Sequence, residues 1–595
     1  MRTTSCRIIA LAAALILAGQ AWAVFPAGNP INTTFPTSSW SIVIEDVVTI
    51  PNSSGQAPRL EFLSADGAPG SAYVIDQRGP IYSFDPAAAN PSPTLWLNLS
   101  TAVPNFTGSG MQTGVRGLAF HPDFNNPAAP GYRKFYTAHS RLSFNPLLGN
   151  PQPVVFNSPI FPNHDSILAE WTMNADGTVN TGSYRELMHV GQPYADHNIG
   201  QIGFNPNADP GGSDYGNLYI TLGDGGNNFP PNPIDPQNTG QNLNDPHGSI
   251  LRIDPLVSGG DPYTIPSDNP FRVDDNPSTS RNVIWAYGLR NPHRFTFDTA
   301  GDHKMLITDI GQSNIEEVNL GAAGANYGWD LREGTFQTTS SFSGSNNLVD
   351  TLPANHPTDA FTYPVAQYDH DWDNNNNIEG LWSIVGGSVY RSSDVPELNG
   401  LYLFGEFAEN SGAIFAVDVN DLVQREDFTN LSSLYGGHLA PFVRLRLMHN
   451  GQEKTLLQII RDASGNQSLN RTDLRFGVGP DGEIYILNKH DGRVRRIAAV
   501  SGLLPGDYND DGTVDASDYV IWRANVGTNN LLPNNPTPGP IDQTEYERWL
   551  ANFGTSAPGG GGIAVGPVPE PASFCLAFSA FLVFAAQRRS RTASR

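Results

Sequence analysis

The sequence predicts an all-β protein, because it is rich in turn residues and repeats one strand pattern. The 60 glycines and 48 prolines among 595 residues favour many tight turns over long helices. Segments such as 117–139, 295–311 and 476–497 each read as an apolar strand, a turn, and a second strand ending near an aromatic residue. Recurrence of this antiparallel hairpin from about residue 25 to 500 predicts the blades of a β-propeller, with an array of β-sandwiches as the alternative.

Charge excludes one class of partner. Aspartate and glutamate total 58 against 34 lysines and arginines, so the formal net charge is -24 at pH 7. Such an acidic surface repels phosphate backbones and anionic lipid. We therefore expect no nucleic-acid partner, and membrane contact only through the C-terminal segment.

The N-terminus has the composition of a secretory signal. In residues 1–23, Arg2 and Arg7 precede an apolar run, and the segment ends on small residues at Ala21 and Ala23. We expect cleavage after Ala23 and hence an exported protein. A retained membrane anchor is the alternative, although the apolar run is short for a membrane span.

The C-terminus carries a tripartite tail. A glycine-rich linker at 556–567 leads into residues 568–595, which hold the sequence VPEP, an apolar stretch and a final basic run. The apolar stretch alone is a marginal membrane anchor whose basic end should stay cytoplasmic. The tail resembles the PEP-CTERM sorting signal of bacterial envelope proteins, which implies processing by a dedicated transpeptidase. Because Cys6 lies in the signal and Cys575 in this tail, the exported body can form no disulfide.

A calcium loop is predicted between the body and the tail. Oxygen-bearing residues stand at positions 1, 3, 5, 7, 9 and 12 of a twelve-residue loop that has Gly512 at position 6: Asp507, Asn509, Asp511, Thr513, Asp515 and Asp518. Alternate oxygen ligands, a glycine at the sharp turn and a closing carboxylate form the EF-hand pattern. An acidic turn without a metal is the alternative.

The loop is followed by a second, degenerate copy. Residues 542–549 match 515–522, and the same register places Asn534 at loop position 1. Pro536 and Pro538 then fall on positions 3 and 5, where side-chain ligands are required. The stretch 503–555 resembles the dockerin type I modules, small helical modules that bind cohesin domains. The resemblance implies a cohesin-like protein partner.

Polar residues also concentrate in four loop-like segments of the body, which occupies residues 24–500. They are 112–117, 196–198 with 223–226 downstream, 286–298, and 309–330. Each has an ordinary structural reading: Gly223-Asp224-Gly225 as a hairpin turn, the Arg-Asn-Pro sequence at 290–292 as a capped turn, and His197 as a structural histidine. Taken singly, none of these segments decides the function.

In their order along the chain and in their sequences, however, these segments resemble the soluble PQQ-dependent glucose/sorbosone dehydrogenase family. The matching stretches are QTGVRGLAFHPDF (112–124), DHNIGQIGFNP (196–206), GQNLNDPHGSILRID (240–254), WAYGLRNPHRFTFD (285–298), DIGQSNIEEVNLGAAGANYGW (309–329) and FGVGPDGEIYIL (476–487). The family is built on a six-bladed propeller. The predicted fold class is therefore all-β, a six-bladed β-propeller followed by a small helical calcium-loop module.

The resemblance implies roles for five residues around the reacting atoms. His197 matches the general base, which takes the hydroxyl proton of a sugar or polyol while hydride leaves for PQQ. Histidine suits this role because its ordinary pKa lies near neutrality. Gln112 and Asp196 match positions that face the substrate, and Arg290 and Asn291 match the pair that binds PQQ. Electrons would pass to an external acceptor, since the chain has no haem-attachment motif.

The resemblance also implies two calcium sites in the body. Gly311 and Gln312 match residues whose backbone carbonyls hold the calcium that bridges to PQQ. Glu317 and Tyr327 match a second, structural site, with Tyr327 contributing its carbonyl. Carboxylate and backbone oxygens are the ligands that calcium prefers.

One segment departs from the glucose enzymes. They neutralise the PQQ carboxylates with late cationic side chains, whereas residues 407–412 here contain no arginine or lysine. Arg391, Lys489 and Arg493 are candidate substitutes. Two functions therefore stay open: an exported quinoprotein sugar dehydrogenase, or a non-catalytic envelope propeller that binds glycans or proteins.

Overall fold

The computed structural model describes residues 31, 36–53, 55–143, 145–226, 235, 237–312, 314–338, 348–349, 361–370, 383–407, 412–424, 439–528, 530, 532–537 and 539–556. The signal and sorting segments predicted at 1–23 and 568–595 lie outside these residues, as does the linker beyond Ser556. The chain divides into two compact units, Met1–Thr37 with Ser41–Val500, and Ser38–Trp40 with Ser501–Arg595.

The first unit consists of strands that follow one another in antiparallel groups. The opening strand and the first three groups are, in chain order, β1 (Thr37–Thr49), β2 (Leu60–Ser64), β3 (Ala72–Asp76), β4 (Pro80–Phe84), β5 (Thr94–Asn98), β6 (Gly117–Phe120), β7 (Lys134–Arg141), β8 (Val154–Phe156), β9 (His164–Met173), β10 (Val179–Gln192), β11 (Ile199–Phe204), β12 (Leu218–Leu222), β13 (Ser249–Ile253) and β14 (Ile284–Tyr287). The groups are β2 to β5, β6 to β10, and β11 to β14. Neighbours within them pair antiparallel, except that β8 runs parallel to β10.

Three further groups complete this unit. Their strands are β15 (Pro292–Phe297), β16 (Met305–Asp309), β17 (Ile315–Leu320), β18 (Arg332–Glu333), β19 (Phe336–Thr338), β20 (Leu348–Val349), β21 (Ala366–Asp369), β22 (Ile384–Val389), β23 (Leu401–Glu406), β24 (Ile414–Asp418), β25 (Val443–His449), β26 (Gln452–Glu453), β27 (Arg475–Val478), β28 (Ile484–Leu487) and β29 (Arg493–Ser501). The fourth group is β15, β16, β17 and β21, and β18 to β20 form a small separate sheet. In the described residues, β1, β2 to β5, β22 to β26 and β27 to β29 are hydrogen-bonded into one sheet of 13 strands, within which we take β22 to β26 as the fifth group and β27 to β29 as the sixth. Strand β1 lies between β25 and β29 in the hydrogen-bonded order.

The first strands of the six groups contact one another in a closed order. β2 contacts β6, β6 contacts β11, β11 contacts β15, β15 contacts β22, β22 contacts β27, and β27 contacts β2. Segments that lead into these strands therefore come together around a common axis. The prediction of a mostly-β body built from recurring antiparallel sheets is confirmed.

Apolar side chains fill the space between neighbouring groups. Tyr73, Phe120 and Trp171 belong to a cluster between the first and second groups, and Tyr136 and Ile220 to one between the second and third. Because such a strand is covered on both faces, β12 is buried at every position. That burial explains why several strands read as short continuous apolar runs.

Helices are few. The first unit has α1 (Leu99–Ala102), α2 (Ser280–Val283), a 3-10 turn (Pro396–Leu398) and α3 (Leu456–Ser464), and the second unit has α4 (Ala516–Asn525) and α5 (Gln543–Asn552). Asp515 and Asp542 begin the last two helices as N-caps, and each side chain accepts a hydrogen bond from a first-turn backbone N–H. A small core that includes Tyr508, Trp522 and Ile541 holds the second unit together.

None of the helices in the described ranges is both long and apolar enough to cross a membrane.

Candidate functional site

His197 lies where the chain enters β11, and a carboxylate holds its ring. The residue is 6% exposed, and its Nδ1 lies 2.6 Å from Oδ1 of Asp224, which follows β12. Ile199 and Leu222 are register partners in this hairpin, so strand pairing itself brings His197 and Asp224 together. With a carboxylate accepting at Nδ1, a neutral imidazole carries its proton there and presents a lone pair at Nε2.

Asp224 is in turn fixed by its neighbours. Its Oδ2 accepts a hydrogen bond from Trp329 Nε1 at 2.9 Å, and its Oδ1 accepts another from the backbone N–H of Gly226 at 3.0 Å. Burial alone would raise the pKa of Asp224, but the charges of His197 and Arg290 hold the pKa below its ordinary value. Asp224 therefore faces His197 as an ionised carboxylate.

Arg290 and Asn291 adjoin this pair, directly before β15. The backbone N–H of Asp224 donates to Arg290 O at 2.8 Å. Asp309, at the end of β16, accepts from the backbone N–H groups of Arg290 and Asn291 at 2.9 and 2.7 Å. The Arg290 guanidinium also lies 5.7 Å from the centre of the Trp329 ring, which leaves a flat aromatic surface beside a cation.

The predicted calcium-binding carbonyls lie beside the same guanidinium. Arg290 Nη1 donates to Gly311 O at 2.7 Å, and Nη2 donates to the side-chain oxygen of Gln312 at 2.6 Å. The backbone N–H of Gln312 donates to Glu333 Oε1 at 2.8 Å. Gly311, Gln312, Arg290 and Asn291 thus form one connected group with His197.

Glu317 and Tyr327 are the two residues expected at a second calcium site, and each has its own set of neighbours. Glu317 is opposite Asp309 across β16 and β17, and burial together with the charge of Asp309 raises the pKa of Glu317 to about 8. Tyr327 is part of the hydrophobic cluster around Trp285, and its hydroxyl donates to Leu320 O at 2.7 Å. In the part of the chain that the structure describes, no group of three or more His, Cys, Asp or Glu side chains is arranged to hold a metal.

Gln112 and Asp196 lie on two adjoining loops. The backbone N–H of Gln112 donates to Ala195 O at 3.3 Å, next to Asp196, and both side chains are partly exposed. Buried Gln77 holds the first loop, because its amide donates to Met111 O at 3.1 Å and Thr113 O at 2.6 Å. The structure therefore brings the two predicted substrate positions beside His197.

The three candidate substitutes for the late cations all have carboxylate partners. Arg391 pairs with Asp298 at 2.6 Å, Arg493 with Asp46 at 3.2 Å, and Lys489 with Glu61 at 2.6 Å. Phe407, the first residue of the segment without cations, nevertheless lies beside positive charge, since the guanidinium carbons of Arg471 and Arg475 lie 4.9 and 4.1 Å from the centre of its ring. Sequence spacing gave no indication of that contact.

Glu61 of β2 is the centre of a buried cluster of cations. Its Oε1 lies 2.8 Å from Arg116 Nη1, 2.7 Å from Arg294 Nη2 and 3.1 Å from Arg475 Nε, and its Oε2 lies 2.6 Å from Lys489 Nζ. Burial alone would raise the pKa of Glu61, but the four cations, Arg116 foremost, hold it well below its ordinary value. The cluster joins the first, second, fourth and sixth strand groups.

In the second unit, the residues of the predicted calcium loop are linked to one another by hydrogen bonds. Asp507 accepts from the backbone N–H groups of Asp511 and Gly512 at 3.1 and 2.9 Å. Asp518 accepts from the backbone N–H of Asn509 at 3.0 Å, which draws the closing carboxylate onto the loop. Thr513 and Asp515 continue the turn into α4, where the N–H of Thr513 donates to Asp511 at 3.0 Å and Asp515 is the N-cap.

Three residues at the site were missed by sequence reasoning. Asp224 was interpreted as part of a hairpin turn, and Asp309 and Trp329 stood in quoted segments without a role. The pairing of β11 with β12 and of β15 with β16 makes the two aspartates neighbours of His197 and Arg290. Trp329 is held there by its backbone N–H, which donates to Gly288 O at 2.8 Å. The sequence did carry one indication of their role: Asp224 lies just beyond the end of one strand, and Asp309 lies at the end of another.

Comparisons with known proteins show which family the chain resembles. The family model described as Glucose / Sorbosone dehydrogenase matches residues 99–469. HIPL1 protein of Arabidopsis thaliana is 31% identical over 324 residues, covering 50% of this chain and 43% of that protein. Quinoprotein glucose dehydrogenase B of Acinetobacter calcoaceticus is 29% identical over 288 residues, covering 45% of this chain and 52% of that protein.

A solved structure, the apo-form of the soluble aldose sugar dehydrogenase from Escherichia coli, covers 77% of this chain at 16% identity with a TM-score of 0.45. The chain spans about half the length of the curated relatives it matches. The matched family model covers more than half of the 595 residues, and the protein therefore belongs to the glucose/sorbosone dehydrogenase family.

Proposed function

We propose that the protein is a PQQ- and calcium-dependent dehydrogenase that oxidises a sugar or polyol at an alcohol or hemiacetal carbon. The observation that carries this proposal is the pair of His197 and Asp224, whose nitrogen and oxygen are 2.6 Å apart. A histidine fixed in this way is a preorganised proton acceptor. Its neighbours supply what hydroxyl oxidation further needs, namely a cation, a flat aromatic ring and two polar loops.

The residues around His197 fit PQQ, a flat quinone with three carboxylates. Arg290 and Asn291 would hold it, because the Arg290 guanidinium lies beside the Trp329 ring and a guanidinium favours negative charge on a quinone oxygen. Arg471, whose side chain is 38% exposed and flanks Phe407, would contribute positive charge near a PQQ carboxylate, and it is itself paired with Asp473 at 2.5 Å. When bound, PQQ supplies a hydride acceptor.

The chain's own residues would manage the proton. Nε2 of His197 accepts the proton of the substrate hydroxyl, and the ionised Asp224 at Nδ1 stabilises the imidazolium that results. Gln112 and Asp196 would orient the hydroxyl groups of the substrate from their adjoining loops. Because His197 is nearly buried, water competes little for Nε2.

Calcium also fits oxygen donors of this unit. Asp309 and Glu317 are buried carboxylates on facing strands, which a divalent cation would neutralise. We assign Glu317 and the carbonyl of Tyr327 to the structural ion on the family resemblance. The carbonyls of Gly311 and Gln312 are assigned to the ion that would adjoin PQQ.

Reconstitution tests the enzyme proposal. The purified protein, stripped with a chelator, is mixed with PQQ and calcium, and reduction of an artificial dye is followed with a panel of aldoses and polyols. We expect dye reduction that requires PQQ, calcium and one class of sugar. If no quinone binds at micromolar concentration, the enzyme proposal is lost.

The second candidate is a non-catalytic propeller that binds glycans or proteins. It is favoured by the existing contacts of Arg290, whose guanidinium already makes four hydrogen bonds to Ile310, Gly311 and Gln312. A glycan array with the same protein separates the two: tight glycan binding without quinone binding supports the second candidate.

We also propose the finer architecture and setting. The six strand groups are the blades of a six-bladed propeller, and residues 503–555 form a dockerin-like calcium module that docks a cohesin-like partner. The protein is exported and sorted to the envelope by its terminal segments, and it passes electrons to an external acceptor. Cell fractionation of the full chain beside a variant lacking 568–595 tests the sorting, because only the full chain should remain with the envelope.

A further inference from the structure

The two halves of the calcium-loop module share one framework. Trp522 Nε1 donates to the carbonyl of Asp542 at 2.8 Å, and Trp549 Nε1 donates to the carbonyl of Asp515 at 2.7 Å. Each helix therefore uses its tryptophan to bind the N-cap residue of the other helix.

Backbone pairing repeats the same correspondence. Gly527 N–H donates to Ile541 O at 2.8 Å, and Gly554 N–H donates to Val514 O at 2.8 Å. Each residue of the first copy thus has a counterpart 27 positions later, as Asp507 has Asn534. The residues of the two copies can therefore be compared position by position.

The closing carboxylates of the two loops have different partners. In the first loop, Asp518 accepts hydrogen bonds from the backbone N–H groups of Asn509 and Asp515 at 3.0 and 2.8 Å. In the second loop, the counterpart Glu545 keeps the N-cap bond, with its Oε2 2.8 Å from Asp542 N. Its other oxygen, Oε1, lies 3.3 Å from Nη1 of Arg548.

Arg548 also reaches oxygens of the loop itself. Nη1 donates to Asn535 Oδ1, and Nη2 lies 3.4 Å from Thr537 Oγ1. The guanidinium is 18% exposed and Glu545 is 5% exposed, so this contact is not a solvated surface pair. The counterpart of Arg548 in the first copy is Ile521, which carries no charge.

The side chains of the second loop do not fit a calcium ion. Pro536 and Pro538 occupy the positions where the first loop has Asn509 and Asp511. Asn534, at position 1, uses its amide to donate to Asp507 O at 3.1 Å and to Asp510 Oδ1 at 2.9 Å. Positions 3 and 5 therefore offer no side-chain oxygen, and the side-chain oxygen at position 1 already accepts from Leu504 N–H at 3.3 Å, so the second loop lacks part of the oxygen set that a calcium ion needs.

We propose that Arg548 is the built-in cation of the second loop and takes the electrostatic role that calcium has in the first. The module then binds a single calcium ion, at Asp507 to Asp518, and its second half is held together without metal. This inference rests on the proposed calcium site of the first loop for the count of ions, but not for the role of Arg548.

Calcium counting in the full chain tests the stoichiometry. Bound calcium is measured by equilibrium dialysis for the wild type, Asp518→Asn and Glu545→Gln. We expect Asp518→Asn to lose one ion per chain and Glu545→Gln to lose none. Loss of an ion from Glu545→Gln would overturn the inference, whereas an unchanged count in Asp518→Asn would refute only the calcium site of the first loop.

Proteolysis of the full chain tests the proposed role of the Arg548 guanidinium. Cleavage within 503–556 is followed by mass spectrometry in Arg548→Ile, which introduces the residue of the first copy, and in Arg548→Lys. We expect cleavage about tenfold faster in Arg548→Ile, both with and without calcium, and partial rescue by lysine, because breaking a largely buried ion pair leaves Glu545 uncompensated.

The matched control is Arg523→Leu, which puts the second copy's residue, Leu550, at an exposed arginine of α4. This change should leave the cleavage rate unaltered. A double variant, Glu545→Gln with Arg548→Ile, should be cleaved no faster than Arg548→Ile alone, since the charge to be compensated is gone. Equal cleavage of wild type and Arg548→Ile would overturn the inference.

Discussion

At the scale of single residues, Asp224 decides what His197 can do. A carboxylate 2.6 Å from Nδ1 can only accept, so it keeps the imidazole proton on that nitrogen and leaves Nε2 free to take one. Trp329 holds the other carboxylate oxygen at 2.9 Å and prevents the carboxylate from turning away. The position of the proton on His197 is therefore set by two buried partners and not by the histidine alone.

The first prediction concerns His197 directly. His197→Ala should keep the fold and bind PQQ, but should lose at least about a hundredfold in turnover, since general bases contribute roughly that much or more. Quinone binding is measured by fluorescence titration and turnover by dye reduction, with the exposed His303→Ala as control. Loss of quinone binding in His197→Ala would mean that the histidine is structural.

The second prediction tests whether the position of the proton on the His197 ring matters when the ring itself is kept. In Asp224→Asn the side-chain amide can donate to Nδ1, which favours the tautomer with the proton on Nε2 and removes the base. Turnover should fall about 10²- to 10⁴-fold while KM changes little, as expected for a wrong tautomer in intact geometry. A rise in KM with unchanged kcat would contradict this role.

Sequence reasoning singled out His197, Arg290 and Asn291 because their segments match a family in order and sequence. It left Asp224 as a turn, because the 27 residues that separate it from His197 in the chain are closed only by the β11–β12 pairing. It also could not show that the guanidinium of Arg290 already bonds to Gly311 O, since that depends on side-chain conformation.

At the scale of elements, Glu61 ties four strand groups through its cations. Glu61→Gln would leave Arg116, Arg294, Arg475 and Lys489 buried without their shared carboxylate. Removing one partner of a buried ion cluster typically costs about 3–5 kcal/mol, which is the loss we expect in the free energy of unfolding of the first unit. Urea unfolding measures it.

Glu45→Gln is the control for that measurement. Glu45 is 56% exposed and 3.7 Å from Arg496, so its loss should change stability by less than about 0.5 kcal/mol. Equal effects of the two substitutions would contradict a structural role for the Glu61 cluster.

The pairing of β16 with β17 predicts a pH dependence. Burial raises the pKa of Asp309 to about 7 and, with the charge of Asp309, that of Glu317 to about 8. Because the folded chain holds these protons more tightly than the unfolded chain, their stabilising effect is complete below the unfolded pKa values of about 4. It is lost as the pH rises through the folded values.

In the presence of a chelator, the free energy of unfolding should therefore fall between about pH 5 and 8. Urea unfolding at several pH values measures the slope, and Asp309→Asn should flatten it because one of the two titrating carboxyls is gone. A wild-type stability that increases over this range would contradict the assignment.

The strand pattern of the body was predictable because hairpins are local, and turn residues mark their ends. The pairing of strands that lie far apart in the chain was not predictable. β1 pairs in parallel with β25, with Ser41 opposite Arg446, and no periodicity in the intervening four hundred or so residues indicates this partner. Strand β8 and the small sheet of β18 to β20 also depart from the regular repeat.

At the scale of the whole molecule, each unit has a hydrophobic core of its own. The clusters of the first unit lie between its strand groups, whereas Tyr508, Trp522, Leu532 and Ile541 form a separate core in the second. Separate cores predict separate unfolding transitions. Sequence motifs predicted the body at 24–500 and the calcium-loop module at 503–555, whereas the proposed role of Arg548 in the second loop could be recognised only from side-chain contacts.

The last prediction uses this separation. In calcium buffer, Asp518→Asn should lower the stability of residues 501–556 alone, because it weakens the cap of α4 and removes a proposed calcium ligand. A lost cap costs about 1 kcal/mol, and calcium at a hundred times its dissociation constant contributes about 2.7 kcal/mol. Pulse proteolysis across a urea gradient, with fragments identified by mass spectrometry, reads the two units independently. The exposed Glu547→Gln is the control and should shift neither transition. If Asp518→Asn shifted the transition of residues 41–500 as much as that of 501–556, the two units would unfold as one, and the calcium loop would have to stabilise the whole chain.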